Sequence, residues 1–362
     1  MKQITPEIWA WSHYQPQQRL DRNGHFVQQA PGEAGVLIDP VPFREGDEEL
    51  VRERGGVAAV LLTGGSREHE AGQAVQKFHC PILAPQPAAA PPNGGQIRPI
   101  DAGTLLPADL RAIPLPSPQG GGELAFYHGP SSSLIVGSAL VGAPAGQVSL
   151  APFVPAAESA GAARGLRALL ARPFARLLLG EGDSLLRDPI RALQDLLYRH
   201  DPAAFLLRQD EVHWREPFQS GQRFHEEFAD CSRLLGLTAH DFDLCVIPPG
   251  RGNHPLHRHD GNEELYCVVA GQGEVRTEQG TFAIAAGDVF GFPPRYQIAH
   301  HLRNTGEDDL RFLSFAAPAE RLDMCDYPRS GQRYEGTAYG KRRRFFLPER
   351  VNVGYWEGTP TD

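Results

Sequence analysis

The chain has 362 residues, a length that allows two domains, each with its own hydrophobic core. Its 44 acidic residues outnumber its 35 basic residues and give a formal net charge of −9, which argues against a surface that binds nucleic acid. The sequence has neither the apolar run of a secretory signal nor the roughly 20 consecutive apolar residues that span a bilayer, so we predict a cytoplasmic protein without a membrane or nucleic-acid partner.

The first 205 residues alternate between short apolar runs and helical patterns. The predicted elements begin in a β-α-β-α-β order: strand 35–40, helix 45–56, strand 57–63, helix 68–79 and the strand PILAP. Later predicted strands are LRAIPLP, ELAFYH, SLIVGSALVG and ARLLLG, and the later predicted helices are GLRALLARP and SLLRDPIRALQDLLYRH. This order predicts an α/β domain over residues 1–205, in which helices pack on a sheet.

The frame of this domain resembles the metallo-β-lactamase fold. In that family a strand like VLIDP is followed by a strand that ends in a zinc-binding loop of the form T-H-x-H-x-D-H-x-x-G. The stretch LLTGGSREHEAG keeps the ends of that loop as Thr63 and Gly72, and it keeps one imidazole, His69. Three ligand positions of the loop are replaced, by Gly64, Ser66 and Glu68.

The later ligand positions of the family are replaced as well. Pro118 lies near the expected His, Ser138 takes the place of the bridging Asp, and Glu181 takes the place of the last His. Because zinc needs three or four well-placed donors, the resemblance implies an αββα sandwich whose hydrolase site is inactive. One alternative stays open: Glu68, His69 and Glu181 form a rearranged site. Otherwise Glu68 and His69 are ordinary polar residues at a helix start.

From residue 206 the pattern changes. Residues 206–240 form a stretch for which we predict no regular structure, and from 242 onward strands follow one another at short intervals. The predicted strands are FDLCVIPPG, LYCVVAG, EVRTEQGTFAI with a hairpin turn at Gln279 and Gly280, VFGFPP, AHHLRN and LRFLSFA. Repeated strands separated by Gly, Asn and Asp turns predict an all-β domain over 206–362, with a barrel core at about 241–317.

The stretch HPLHRHDGNEELYCVVAG carries metal-ligand chemistry. His257 and His259 are two residues apart, so on a strand both imidazoles project from the same face. Glu264 follows after a turn, and AHHLRN adds His300 or His301. Three imidazoles and one carboxylate suit a divalent transition metal (Fe, Mn, Ni or Zn), and the sequence does not distinguish among these ions.

These residues resemble the cupin superfamily, a family of single jelly-roll barrels. Its first motif, H-x-H-x(3,4)-E-x(6)-G, matches His257, His259, Glu264 and Gly271, and its second motif matches Gly287, Pro293, His300 and Asn304. The H-x(3)-N relation selects His300 over His301. The resemblance implies that His257, His259, Glu264 and His300 bind the metal. It leaves His254 as a loop residue, His301 as an outward-facing one and Arg258 as a solvent-exposed one.

Two functions follow as hypotheses. The first is a metal-dependent enzyme of the dioxygenase or isomerase type that acts on a small polar molecule, with Tyr266 and Gln297 facing the substrate. The second is a non-catalytic protein that binds a sugar or carboxylate, with the first domain as an interaction or dimerisation platform. Residual hydrolysis by the first domain ranks last. We also predict a homodimer, and we interpret the basic run from Lys341 to Arg344 as a solvated edge rather than a nucleic-acid contact.

Overall fold

A computed structural model describes residues 1–64, 68–85, 97–100, 105–115, 122–316, 323–336, 343–347 and 350–351. The chain divides into two compact units, Met1–Phe205 and Leu206–Asp362. Within the described residues, no helix is long and apolar enough to cross a membrane.

The first unit mixes strands and helices. Its strands are β1 (Lys2–Thr5), β2 (Ile8–Gln15), β3 (Leu20–Val27), β4 (Gly35–Ile38), β5 (Val57–Leu61), β6 (Ile82–Ala84), β7 (Ile97–Pro99), β8 (Leu105–Leu106), β9 (Leu110–Leu115), β10 (Glu123–His128), β11 (Ser133–Val136), β12 (Leu140–Val141), β13 (Ser149–Leu150) and β14 (Arg176–Leu179). Its α-helices are α1 (Asp47–Glu53), α2 (Glu68–Phe78), α3 (Ser159–Gly165) and α4 (Pro189–His200).

The described strands of this unit form two larger sheets. In one, β1 to β7 lie side by side in chain order; the pairs from β1 to β4 are antiparallel and those from β4 to β7 are parallel. The other has the order β14-β11-β10-β9-β8. All four residues of β4 are buried, as expected of a strand whose sheet is covered on both faces and whose sequence is a continuous apolar run.

Two apolar clusters form the core of the first unit. One joins the two sheets and contains Ile38 and Leu61 from the first sheet with Phe126 and Leu178 from the second. The other lies on the opposite face of the first sheet, where α1 and α2 contribute Val51, Ala71 and Ala74 against Trp9, Leu37 and Val60. The helices therefore bury their apolar sides against the parallel part of the first sheet.

The second unit consists mainly of strands. Its elements are β15 (Phe218–Ser220), β16 (Phe224–Asp230), α5 (Cys231–Leu235), β17 (Asp241–Ile247), β18 (Arg258–His259), β19 (Glu264–Ala270), β20 (Gln272–Thr277), β21 (Thr281–Ala285), β22 (Val289–Phe292), β23 (His300–Asn304), β24 (Leu310–Ala316), β25 (Asp323–Tyr327), β26 (Gln332–Gly336), β27 (Arg343–Leu347) and β28 (Arg350–Val351). The described strands form sheets in the orders β15-β16-β17-β24-β19-β22, β18-β25-β26-β27-β28 and β21-β20-β23.

The strand predicted for LRFLSFA is confirmed as β24, in which Leu310 and Phe312 are buried and Arg311 between them is exposed. The hairpin predicted at Gln279 and Gly280 is also confirmed, as the turn between β20 and β21. The prediction of an irregular stretch over 206–240 is wrong, since β15, β16 and α5 lie within it. β15 pairs with β16, and β16 pairs with β17, and that pairing is not visible in their own sequence.

Candidate metal centre

In the first unit, Thr63, at the start of the loop whose zinc ligands are replaced, is held in place by hydrogen bonds to Asp39. The backbone N–H of Thr63 donates to Asp39 at 2.9 Å, and the Thr63 hydroxyl donates to the same carboxylate at 2.5 Å. A Cβ atom at Gly137 would lie 1.8 Å from the Thr63 hydroxyl oxygen, so only glycine fits there. The ends of two strands are therefore locked together by packing and hydrogen bonds that need no metal.

The replaced ligand positions of this unit have other contacts. Glu181 lies 3.8 Å from the guanidinium of Arg22, and the Ser138 hydroxyl donates to Glu123 at 3.4 Å. Glu68 and His69 begin α2, whereas Ser66 and Pro118 lie outside the described residues. Within the described side chains of this unit, no three His, Cys, Asp or Glu residues converge as metal ligands would.

In the second unit, the backbone brings two of the predicted ligands together. His257 and His300 form an antiparallel bridge, in which each N–H donates to the other carbonyl, at 3.1 and 2.8 Å. Their ring centroids are 4.6 Å apart, and the His257 and His259 centroids are 5.2 Å apart. All three imidazoles therefore lie around one point, with Glu264 at the start of the next strand.

The Glu264 carboxylate lies between two of these rings. One of its oxygens is 3.4 Å from His259 Nε2 and the other is 3.0 Å from His300 Nε2. The ligand atoms of His257, Glu264 and His300 all lie within 4.8 Å of one another. The structure thus brings the four sequence-predicted ligands together and presents the Nε2 atoms of His259 and His300 to the carboxylate.

The other nitrogen of each imidazole is held by an acceptor. His257 Nδ1 lies 2.9 Å from the Pro255 carbonyl, His300 Nδ1 lies 3.4 Å from the Ile298 carbonyl, and His259 Nδ1 lies 2.5 Å from the Asp323 carboxylate. Such contacts are typical of metal-binding histidines, because they fix the neutral tautomer whose Nε2 carries a free lone pair.

The chemistry of the buried atoms fits a metal ion. His300 Nε2 and Glu264 Oε2 are both buried and lie 3.0 Å apart, but neither makes a hydrogen bond of good geometry. Such an arrangement is costly unless a third group interacts with both atoms. Burial, with the neighbouring His300, lowers the pKa of His257 well below its usual value, so this ring is neutral and ready to donate a lone pair. Burial works to raise the pKa of Glu264, but His259 and His300 outweigh it and keep the group ionised.

Aromatic rings enclose the cluster. The Phe292 ring stacks on His300 with centroids 3.7 Å apart, and the Tyr266 and Tyr327 rings lie 6.1 Å from His300 and 5.8 Å from His257 respectively. Burial, followed by the charge of Glu264, raises the pKa of Tyr266 well above its ordinary value. Tyr266 is therefore a neutral neighbour of the cluster, whereas Gln297 is exposed and donates to the Pro294 carbonyl.

Sequence reasoning missed Asp323 and Cys325. Both belong to β25, which pairs with β18 so that Cys325 lies opposite His259. The Asp323 side chain, 3% exposed, also accepts the backbone N–H groups of Gly261 and Asn262 at 2.9 and 3.2 Å. The Cys325 sulfur lies within 4.8 Å of the ligand atoms of His257 and His259. No local pattern marks these positions, because the pairing spans more than 60 residues.

Of the three residues assigned outside the site, His254 lies in a loop as predicted, whereas His301 and Arg258 need correction. His301 does lie on the opposite side of β23 from His300, but it is 5% exposed rather than open to solvent, and its Nδ1 lies 2.7 Å from the His254 carbonyl. His254 itself pairs with Glu226 at 2.9 Å. Arg258 is only partly exposed and lies 3.6 Å from Asp326. Phe224 of β16 packs on His301, and β25 partly covers Arg258, which the local spacing did not predict.

The remaining motif residues fix the conformation of the backbone. Asn304 is fully buried; its side chain donates to the carbonyls of Ile247 and Asp308 at 2.7 and 2.8 Å and accepts the Gly306 N–H at 2.9 Å. Gly271 has φ +80°, and a Cβ there would lie 2.4 Å from the Asp309 carbonyl oxygen. The motif thus combines ligand positions with positions that fix the turns which aim the ligands.

Comparisons with known proteins match both units. A family model described as metallo-beta-lactamase superfamily matches residues 1–199, and one described as cupin domain matches residues 243–316. Among curated proteins, an oxalate-binding protein from Thermotoga maritima is 37% identical over 73 residues, which cover 20% of this chain. The chain spans 58% of the length of that relative.

Solved structures give partial likenesses. A sugar phosphate isomerase from a cupin superfamily of Silicibacter pomeroyi is 18% identical, with a TM-score of 0.37, and the match covers 41% of this chain and 96% of that one. Oxalate decarboxylase from Bacillus subtilis, solved in a study of its Mn(II) centres, is 24% identical with a TM-score of 0.25; the match covers 30% of this chain and 29% of that one.

Proposed function

Because the chain belongs to the metallo-β-lactamase superfamily by its residues 1–199 and carries a cupin domain at residues 243–316, we propose that its function lies in the cupin domain. There His257, His259, Glu264 and His300 bind one divalent transition metal. With this metal bound, the protein acts as an enzyme of the dioxygenase or isomerase type on a small polar molecule. The first domain is the inactive relative of a hydrolase and supplies no chemistry.

One observation carries the metal site. His257, His259 and His300 each have Nδ1 at an acceptor, while the buried Nε2 of His300 and the buried Oε2 of Glu264 lie 3.0 Å apart without a hydrogen bond of good geometry. A cation between them would satisfy both atoms at once. If the cluster had only a structural role, these buried atoms would be expected to form hydrogen bonds with protein groups.

Each neighbouring residue has a part in this proposal. When bound, a metal with an open position polarises an oxygen of a ligand held there. Asp323 fixes the tautomer and orientation of His259. Phe292 and Tyr266 keep water from one side of the cluster, and the Tyr266 hydroxyl keeps its proton at neutral pH, so it can donate a hydrogen bond to an anionic oxygen.

A non-catalytic function is the second candidate. The name of the Thermotoga maritima relative favours it, since that protein is described as binding oxalate, and the matched 73 residues amount to 20% of this chain. In this alternative the metal captures a sugar or carboxylate ligand without turning it over. The first domain then acts as an interaction or dimerisation platform.

Metal content tests the site. We would measure metals by mass spectrometry in the full-length protein, in the His257→Ala/His259→Ala variant, and in a His225→Ala/His240→Ala control. The control loses the same number of imidazoles outside the cluster. We expect about one metal per chain in the wild type and the control and none in the cluster variant. Equal metal in all three proteins would contradict the proposal.

Turnover separates the two candidates. With the native metal bound, a dioxygenase consumes oxygen in the presence of its substrate, an isomerase converts substrate without oxygen, and a binder shows calorimetric binding without product. A panel of small carboxylates, thiols and sugars, assayed by oxygen electrode, product chromatography and calorimetry, distinguishes these outcomes. If activity persisted in the His257→Ala/His259→Ala variant, the active site would have to lie elsewhere in the chain.

We also infer the finer architecture. The apolar cluster between the two sheets of the first unit and the helices on its outer face support an αββα sandwich. In the second unit, an apolar cluster joins β17, β19 and β24 of one sheet with β20, β21 and β23 of another, which supports a jelly-roll barrel. An experimental structure of the full chain tests both.

A further inference from the structure

A pocket in the C-terminal unit contains none of the four candidate metal ligands, and it is partly open to solvent. Its most polar lining residues are Arg223, Arg276, Arg329, His301, Tyr327 and Ser330. These residues come from the turn between β15 and β16, from β20, β23 and β25, and from the turn that joins β25 to β26, so only the folded chain brings them together.

The positive charges in this pocket are poorly compensated. Arg276 is the exception, because its Nε donates to Glu274 at 2.6 Å. Arg223 lies over the Phe224 ring, with the guanidinium carbon 5.3 Å from the ring centroid. Within the described residues, neither Arg223 nor Arg329 has a carboxylate within 4.0 Å. Two guanidinium groups therefore face the pocket with unused donors.

The arginines also repel one another. Burial lowers the pKa of Arg223, and the charges of Arg329, Arg276 and Arg303 lower it further. A local excess of positive charge contrasts with the formal net charge of −9 for the whole chain. Like charges held together destabilise a surface unless an anion binds between them. The arrangement is thus suited to a negatively charged ligand.

We propose that this pocket binds an oxyanion, the phosphate or carboxylate group of a small ligand, between Arg223, Arg276 and Arg329. The planar guanidinium forks bind two oxygens of such a group at once. Ser330 and the side chain of Tyr327 also line the pocket.

His301 also lines the pocket, and its Nδ1 lies 2.7 Å from the His254 carbonyl. The positive charge of the pocket comes from the arginines.

The pocket adjoins the candidate metal centre through one side chain. The Tyr327 ring lines the pocket and stacks against His257 at a centroid distance of 5.8 Å. The oxyanion site does not depend on the metal, because no candidate ligand takes part in it. The two proposals can therefore fail separately.

Calorimetric titration tests the oxyanion site. Metal-free full-length protein, prepared with a chelating resin at low ionic strength, is titrated with inorganic phosphate and, separately, with oxalate. The test variant is Arg223→Gln/Arg329→Gln. The control, Arg295→Gln/Arg311→Gln, removes the same charge from exposed positions outside the pocket. We expect the test variant to bind at least about tenfold more weakly than the wild type, since bonds to charged groups are lost, and the control to bind like the wild type.

The two probes identify the ligand class. Tighter binding of phosphate assigns a phosphate-bearing ligand, and tighter binding of oxalate assigns a carboxylate. The proposal is overturned if neither probe binds, or if the control loses as much affinity as the test variant. If the double variant does not fold, by circular dichroism, the single exposed Arg329→Gln substitution replaces it with the same expectation. Phosphate binding that persists in His257→Ala/His259→Ala shows that the pocket works without the metal cluster.

Discussion

Asp323 offers a sharp test of the metal centre, because its two oxygens have separate tasks. One accepts the backbone N–H groups of Gly261 and Asn262, and the other lies 2.5 Å from His259 Nδ1. In Asp323→Asn, the remaining oxygen can keep both backbone bonds. The new amide group then faces His259 Nδ1 as a second donor, so the imidazole must shift its proton to Nε2.

An imidazole with its proton on Nε2 cannot donate that nitrogen to a metal. Loss of the acceptor behind a metal-binding histidine typically weakens metal affinity by about 10- to 100-fold, which is about 1.4 to 2.7 kcal/mol. We expect this loss in zinc affinity, measured by competition with a fluorescent chelator. The free energy of unfolding of the metal-free protein should change little, because the backbone bonds of Asp323 survive.

Asp326→Asn is the matched control. It removes the same charge from the same strand, but the Asp326 carboxylate contacts Arg333 at 2.5 Å and not the cluster. We expect wild-type zinc affinity for this variant. The reasoning is refuted if Asp323→Asn binds zinc like the wild type, or if Asp326→Asn loses as much affinity.

Three further predictions concern the scaffold of the second unit. Gly271→Ala should lower the free energy of unfolding by roughly 1 to 3 kcal/mol, because the φ of this residue is +80° and a Cβ there would clash with the Asp309 carbonyl. Gly287 has φ +97° but no such neighbour, so Gly287→Ala should lower the free energy of unfolding by less. Urea unfolding measures both variants. Burial raises the pKa of Asp243 from 3.8 to about 8, so its contribution to stability is complete below pH 3.8 and is lost as the pH rises towards 8. Asp243→Asn should therefore flatten the fall in stability between pH 5 and 8, and an unchanged slope in urea unfolding would count against this assignment. The predicted homodimer would use the exposed apolar side of β19 and β22, where Val289 is 62% exposed, so Val289→Lys should shift the mass in light scattering towards the monomer; a monomeric wild type would contradict the prediction.

Local sequence was enough for much of the candidate site. Strand alternation alone predicted that His257 and His259 share a face, and their ring centroids lie 5.2 Å apart. The H-x(3)-N relation of the cupin motif selected His300 over His301. The hydrogen bonds of Asn304 show that this Asn fixes the following turn. The replacement of the metal ligands in the first domain was also identified from the sequence, because each ligand position has a fixed place in a known motif.

Only the tertiary structure decided which distant groups support those ligands. Asp323 reaches His259 because β25 pairs with β18. Arg223, Arg276 and Arg329 line one pocket although they come from the turn before β16, from β20 and from the turn after β25. Periodicity and spacing report neighbours within a strand or across a short turn. Strand pairing between segments 50 to 100 residues apart is set by how the whole unit buries its apolar faces, and no short window of sequence contains that information.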